Sequence, residues 1–467
     1  MSSAASSRTQ AGDASLGTGL KDRHLTLMGL GMSVGAGLFL GVGAGIRAAG
    51  PAIILAYAIA GLVVIAVMRM LGEMAAARPS SGSFATYGRQ AFGHWAGFLL
   101  GWLYWFLLIM VGGVEITGSS QIIAGWFNIS PWIPALVSVV FFAAINLAQV
   151  KGFGEFEYWF AMIKIVVIIG FLVIGSLLWL GVLPASDFVG FTNIQDSGFA
   201  PHGITGIGAG LLAVAFAFGG IEVVTIAAAE SANPAKAVLR AVNSIIWRIA
   251  VFYIGSVLII ILLMPYETIS GADTAADSPF SHVLESANIP GAAAFMEVII
   301  VLALLSAFNA QIYGTSRMAY QLAKDGDAPA WLGKVGKDAV PRNAVLVSVF
   351  FAFVAVGLQS WNPPGLIDFL MNAVGGCLVV MWIMTVLSFI KLHPELQAGG
   401  ENKALKVSSR WIPWATLAAL LGLTLLMLSD ASTRNQIFSV VALSAVLIFV
   451  SFLTRGLSGA NRSDRLG

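Results

Sequence analysis

A backbone that leaves the helix inside a bilayer exposes N–H and C=O groups that lipid cannot satisfy, so it survives only where it lines protein. This chain interrupts two of its apolar stretches in that way. The first interruption is Ser33-Val34-Gly35-Ala36-Gly37-Leu38-Phe39, within an apolar run over 25–49. The second is Phe216-Ala217-Phe218-Gly219-Gly220-Ile221-Glu222, within a run over 206–229. Gly35 and Gly219 lie about 184 residues apart, one in each half of the chain. Two broken spans at corresponding places, the second carrying a carboxylate, form the sequence pattern of a secondary transporter with a midplane site.

The rest of the chain agrees with a membrane setting. It is 58% hydrophobic and 10% charged, against roughly 25% charged residues in soluble domains. Segments of the ~20 residues needed to cross a bilayer number twelve: 25–49, 52–76, 95–126, 132–149, 158–183, 206–229, 245–264, 291–322, 344–358, 366–390, 411–429 and 436–453. The fold class expected is therefore an all-α integral membrane protein of twelve transmembrane helices. Residues 1–20 are polar and lack the apolar centre of a signal peptide, so the first apolar stretch is expected to stay as a span.

Basic residues set the orientation. With the N-terminus inside, 22 of the 25 Lys and Arg fall on inner segments, Arg248 among them. The outer loops hold Arg47 and Arg434, and Lys164 lies within a span. This asymmetry places both termini in the cytoplasm and the protein in the cell membrane as a multi-pass component. The outer connection 265–290 is acidic, with Glu267, Asp273, Asp277 and Glu285, and the inner one, 324–342, is basic. One cysteine, Cys377, forms no disulfide framework, and the five histidines show no metal-ligand spacing. No phosphate-binding glycine loop suggests ATP-driven transport. Neither cofactor nor metal is expected, nor is nucleic acid or an obligate protein partner.

Chemistry concentrates at the interruptions. Gly35 and Gly37 free the backbone and clear side chains from an approaching ligand. The helix that restarts at Leu38 offers unpaired N–H groups and a positive dipole end, which suits a carboxylate. Close helix packing through small residues accounts for the same glycines, and from the first break alone both readings stand. At the second break, Phe216 is a candidate gate and Glu222 a carboxylate too costly to bury without a partner, a proton or water. Lys164 sits about one-third into the fifth span. It either snorkels to the inner surface or turns inward against the first break, where it would exchange a proton. Glu115 is a third intramembrane charge, and its neighbours Thr117, Ser119, Ser120 and Gln121 suggest a hydrated face. Lys164, Glu222 and Glu115 are the candidates for proton coupling.

Four stretches carry a likeness to a known family: Gly35–Phe39, Gly152–Trp159, Ile221–Ser231 and Ser316–Pro329. On these the chain closely resembles bacterial amino acid permeases of the amino acid–polyamine–organocation superfamily, over nearly everything from Gly17 to Thr454. Within it the chain looks like the GABA permeases and, about as well, the aromatic amino acid permeases of actinobacteria. The resemblance implies a 5+5 inverted repeat with helices 1 and 6 broken. The division would be a cytoplasmic N-terminus (1–20), a ten-helix core (21–390, repeats about 21–185 and 204–390), two accessory helices (391–454) and a tail (455–467). It also implies a substrate carboxylate on the amides of Gly35, Ala36 and Gly37. The amine would meet carbonyls near Ser33 and around Phe216–Gly219. Lys164 matches a fifth-span lysine that stands where related carriers bind sodium, which favours protons as the coupling ion. Ala36 replaces the serine of many relatives, so a hydroxyl contact does not carry over.

The leading expectation is a proton-coupled importer of a neutral amino acid, with GABA as substrate. Ser119-Ser120 and the Glu-Val-Val-Thr run after Gly220 lean towards GABA. The alternative substrate is an aromatic amino acid. From a different class, a channel would need a continuous polar lining, and a non-transporting sensor would be expected to carry an appended domain.

Overall fold

A computed structural model of the protein describes residues 34–78, 80, 83–148, 153–183, 187–220, 242–243, 245–269, 278–336, 340–361, 363–398 and 410–463. Wherever an apolar stretch is described it is helical, because a helix bonds its own backbone groups away from water. In chain order the helices are α1 (Ala36–Phe39), α2 (Gly41–Ala49), α3 (Ile53–Ala77), α4 (Ser83–Phe92), α5 (His94–Phe127), α6 (Trp132–Ala148) and α7 (Phe153–Trp179). They continue with α8 (Thr192–Ser197), α9 (Gly203–Ala217), α10 (Ser256–Leu263), α11 (Pro279–Ser286), α12 (Ala292–Lys324), α13 (Arg342–Trp361), α14 (Leu366–Ala398), α15 (Ile412–Met427) and α16 (Ala431–Ser463). A π-helical segment, Arg248–Gly255, leads into α10.

Among the described residues eight helical stretches are long and apolar enough to cross a membrane, with α1 to α3 forming one of them, and α6, α9 and α15 are shorter apolar helices. No strand occurs among the described residues. The first helix restarts at Ala36, two residues before the expected Leu38, because the Leu38 and Phe39 amides already bond the Gly35 carbonyl. Between α2 and α3 the chain turns at Gly50-Pro51. Gly50 has φ +63, which favours glycine, and Pro51 lies within the first turn that follows, where its missing N–H is harmless.

The centre of the bundle is set by glycines spaced four apart. Gly37, Gly41 and Gly45 share one stripe and bring α1 and α2 against α9. A Cβ built on Gly37 would lie 2.9 Å from both the Cα and the carbonyl oxygen of Ala217. One on Gly41 would lie 3.2 Å from the Phe216 ring. On the far side of α9, a Cβ on Gly375 of α14 would meet the Leu212 oxygen at 2.5 Å. The three backbones are thus closer than side chains would allow, the geometry that small residues make possible between membrane helices.

Two connections fold back onto the bundle. Within the acidic connection 265–290, α11 inserts Phe280, fully buried, against Phe39 at 5.1 Å and Phe171 at 4.7 Å between ring centroids. At the opposite end, Asp327 follows α12 with its side chain fully enclosed. It pairs with Arg89 of α4 and with His94 of α5, at 2.8 Å for the histidine, while Trp102 donates to its carbonyl. Neighbouring Asp325 has its carboxyl pushed up by burial, with Arg89 and Gln321 opposing and Asp327 adding to the rise. One buried carboxylate therefore ties the amphipathic α4 and the start of α5 to the end of α12.

The docking of α11 yields a test. Phe280→Ala removes a ring enclosed by two others and should cost about 3–5 kcal/mol. Thermal unfolding of the purified variant in detergent should show a clear drop in Tm. An unchanged Tm would mean that α11 does not hold the bundle together.

Candidate functional site

The restart of the first helix is occupied by a carboxylate of the protein itself. Glu115, midway along α5 and 3% exposed, accepts a hydrogen bond from the Ala36 amide, which lies 3.1 Å from both Oε1 and Oε2. A free N–H at a helix start is a natural anion donor, and here α5 delivers the anion. Gly35 leaves the room for it. A Cβ at that position would sit 2.5 Å from Glu115 Oε1 and 3.0 Å from the Ala307 Cβ of α12.

Lys164 completes the group. It is 2% exposed on α7 and turned inward, so it does not snorkel. Its Nζ donates to Ser306 Oγ on α12 at 3.2 Å, and its charge acts on Glu115. Its charge therefore bears on the helix start at Ala36 through Glu115. Four elements, α1, α5, α7 and α12, thus meet around two buried ionisable side chains, Glu115 and Lys164. A buried charge that loses its partner is left uncompensated.

The second break lies against the same region. Phe216 is buried over Gly41. The Gly219 amide donates to the Phe216 carbonyl at 2.9 Å, closing the end of α9, and Gly220 turns the chain with φ +85. Gly37, expected to leave an approach open for a ligand, is in contact with the Ala217 backbone instead. Ser33 and Glu222 lie outside the described residues, as do the ends of both breaks that follow or precede them.

The polar face around Glu115 differs in detail from a hydrated one. Thr117, Ser119 and Ser120 are buried. Ser119 Oγ returns to the Glu115 carbonyl, and Ser120 Oγ donates at 2.6 Å to Gln359 Oε1 of α13, whose Nε2 reaches Thr117 Oγ1. The Ser120 and Thr117 hydroxyls thus hold α5 to α13, while Ser119 caps carbonyls within α5.

Sequence reasoning missed Arg248. Counted among the inner basic residues, it is 1% exposed within the π-helical segment, and its charge acts on Tyr253. Tyr253 stacks on Tyr57 of α3, and Phe218 from the second break meets both rings edge-on at 5.3 and 5.8 Å. The signal was its place three residues inside an apolar run that begins at 245. π-Helical turns occur frequently at functional sites. Ser306 carried no signal, since a lone serine on an apolar helix is unremarkable. No cluster of metal-binding side chains occurs among the described residues.

The helix start at Ala36, with the Glu115 carboxylate on its first amide and Lys164 buried nearby, is the candidate site, and comparison with known proteins bears on its role. The family model for amino acid permeases matches residues 24–463. The chain belongs to the amino acid permease family. Among its relatives is the aromatic amino acid transport protein AroP of Corynebacterium glutamicum, 63% identical over 94% of this chain and 95% of that protein. The gamma-aminobutyric acid permease of Bacillus subtilis is 38% identical, covering 93% and 92%. AroP of Escherichia coli K12 is 39% identical, covering 82% and 83%. Membership of this permease family agrees with the multi-pass, all-helical chain and the superfamily resemblance carried by its motifs.

The contact between Gly35 and Glu115 is open to a double-mutant cycle. Gly35→Ala drives the carboxylate off the Ala36 amide, and Glu115→Ala removes the atoms it would strike. The two changes should therefore couple by about 0.5–3 kcal/mol in thermal or denaturant unfolding. Gly37→Ala, which strikes the Ala217 backbone, should couple to Glu115→Ala far less. Equal coupling for both glycines would reject the assignment of Gly35 to the carboxylate.

Proposed function

We propose that this permease is a proton-coupled secondary transporter that imports aromatic amino acids, with the substrate carboxylate competing for the amide that Glu115 now occupies. The Glu115–Ala36 hydrogen bond is the observation that carries the reading. The donor at the helix restart accepts a carboxylate at bonding distance, and a substrate carboxylate has the same geometry. The substrate ammonium then faces the carbonyl-rich end of the second break, where Phe216 and Gly219 lie, and Ser33 is the further candidate for it from the sequence.

Loss of a hydrogen-bond donor supplies the coupling. With the site empty, Glu115 is held by the Ala36 amide and by the charge of Lys164. The zwitterion adds no net charge, but its carboxylate takes the amide from Glu115 and leaves a buried carboxylate without that donor. Such a group is costly in a dry interior, and a proton taken up by Glu115 removes the cost and travels inward with the substrate as one net positive charge. Glu222, two positions after Gly220 in the sequence, is the other carboxylate candidate for this step. On release of substrate to the cytoplasm, Glu115 returns to the amide and gives up its proton.

The architecture that goes with this reading has twelve crossings. The stretch Ala36–Ala77 has 42 residues, about 63 Å of helix at 1.5 Å per residue, twice the ~30 Å hydrocarbon core. It therefore crosses twice, turning at Gly50-Pro51. Seven further long helices and three shorter ones bring the number to twelve. A 5+5 inverted repeat with both termini cytoplasmic accommodates them, and the distribution of Lys and Arg supports that orientation.

For the substrate, an identity of 63% to a protein named for aromatic amino acids supports that class ahead of GABA, whose permease in Bacillus subtilis stands at 38%. GABA was the leading expectation from the sequence, on Ser119-Ser120 and the Glu-Val-Val-Thr run after Gly220. The two serine hydroxyls are engaged within α5 and with Gln359 of α13 and so lend GABA no support, and the run lies outside the described residues.

Purified protein in liposomes tests the whole reading. Counterflow of labelled L-phenylalanine should be blocked by tyrosine and tryptophan and spared by GABA, and an acid exterior should drive accumulation. Lys164→Ala should lose accumulation while counterflow, which needs no gradient, is less affected. Preferential block by GABA would overturn the substrate, and accumulation indifferent to pH would overturn the coupling. Absence of counterflow would point to a channel or a sensor.

A further inference from the structure

Gln311 of α12 lies one turn beyond Ala307 on the same face of the helix and is 6% exposed. Its Oε1 is fully enclosed, and no described group donates to it. A buried acceptor without a donor gives up its hydration for no return, so this oxygen calls for a partner. Gln311 lines a cavity of about 20 Å³ between α5, α12 and α13, whose wall residues are all buried except Ile109 and Phe351. Roughly 10–15 Å³ of room for its centre admits one water molecule, so the space suits a single small molecule.

The polar atoms of the wall share one character. Thr315 Oγ1 donates its hydrogen to the Gln311 carbonyl, and Ser348 Oγ donates to the Ala344 carbonyl at 2.9 Å. Both hydroxyls keep lone pairs to offer. With Gln311 Oε1 they form a set of acceptors from two helices, and among the described residues no charged side chain lines the cavity. Such a wall selects an occupant that is small, neutral and able to donate twice. Water has those properties, whereas an ion would lack a counter-charge and an apolar filler would leave the Gln311 oxygen bare. Glycine supplies the room. A Cβ on Gly112 of α5 would lie 3.5 Å from the Gln311 Cβ and 3.7 Å from the Phe308 ring, ordinary contacts that narrow the cavity without overlap.

We propose that this cavity is a binding site for one structural water, which donates to Gln311 Oε1 on α12 and to Ser348 Oγ on α13. A water-mediated bond is nearly as favourable as a direct one. Further along α13, Gln359 ties that helix to α5, and the water ties it to α12, the helix whose Ser306 receives Lys164. The bridge steadies α12 whichever amino acid the protein carries and whichever ion drives it.

Synchrotron radiolysis of the purified protein in detergent, read by mass spectrometry, tests the site, because hydroxyl radicals made from a bound water oxidise the side chains around it. Phe308 should be oxidised faster than Phe171 and Phe280, which are as deeply buried and pack on one another. Gln311→Leu should bring the Phe308 rate down to theirs. Gly112→Ala should do the same through a methyl that fits beside Gln311, with no fall in Tm, so it decides the matter if the Gln311 variant fails to fold. Ser348→Ala, which leaves Gln311 in place, should lower the rate in part. A Phe308 rate equal to that of the two controls in the parent overturns the site. So does a fast rate that both Gln311→Leu and Gly112→Ala retain, because bulk solvent then reaches the ring without a bound molecule. A rate that rises only once lipid is stripped from the parent also overturns it, since an acyl chain then fills the space.

Discussion

The hydrogen bond from the Ala36 amide to Glu115 is the contact on which the centre of this protein turns. It gives a helix that starts inside the membrane the acceptor its first amide lacks. It also gives a buried carboxylate a donor in addition to the charge of Lys164. Each partner would be expensive alone: an unsatisfied amide at membrane depth costs several kcal/mol, and an unpaired buried charge costs more. Together they bind α1 to α5, and through Lys164 and Ser306 they reach α7 and α12. A substrate that takes over the amide, as proposed above, would disturb all four elements at once and so bias the arrangement of the bundle.

The second constraint is proximity. The glycine stripe on α1 and α2 brings their backbone onto α9, and Gly375 brings α14 onto the other side of α9. Contacts of this kind have little lateral give, because backbone cannot rotate away as a side chain can. They close the gap between α2 and α9. Their strength comes from many short-range contacts rather than from any one bond, so parting them is a cooperative event. The small-residue stripe, one of the two explanations of the first glycine cluster, is present, and beside it a helix start at Ala36 that carries a carboxylate. Gly35 serves the carboxylate, and Gly37, Gly41 and Gly45 serve the packing.

How much of this was legible in the sequence differs from residue to residue. The apolar runs marked most described helices to within a few residues, since hydrophobic length is a direct consequence of bilayer thickness, while α14 and α16 continue eight and ten residues past the ends of their runs. Lys164 and Glu115 stood out because an ionisable side chain in an apolar helix needs a partner. Their pairing was not legible, since they are 49 positions apart on helices whose relative rotation no local signal encodes. Gly37 was read as clearing a path for a ligand when it clears a path for Ala217. Arg248 was read as a topology signal, although its place inside an apolar run argued for burial. The acidic connection 265–290 looked like a surface loop by charge, yet Phe280 carries part of it into the core.

Sequence by itself determined that this chain enters a membrane as helices and that two of them break at glycines. It also determined that three carboxylates or ammoniums stand where lipid would reject them. Those conclusions follow from the solvent, because hydrocarbon penalises exposed amides and bare charges wherever they fall in the chain. The tertiary structure decided which groups answer those penalties: Glu115 for the Ala36 amide, Ser306 for Lys164, Gln359 for the α5 hydroxyls. The partner of a buried polar group is set by which helix faces meet, and those faces are chosen by packing across the whole bundle.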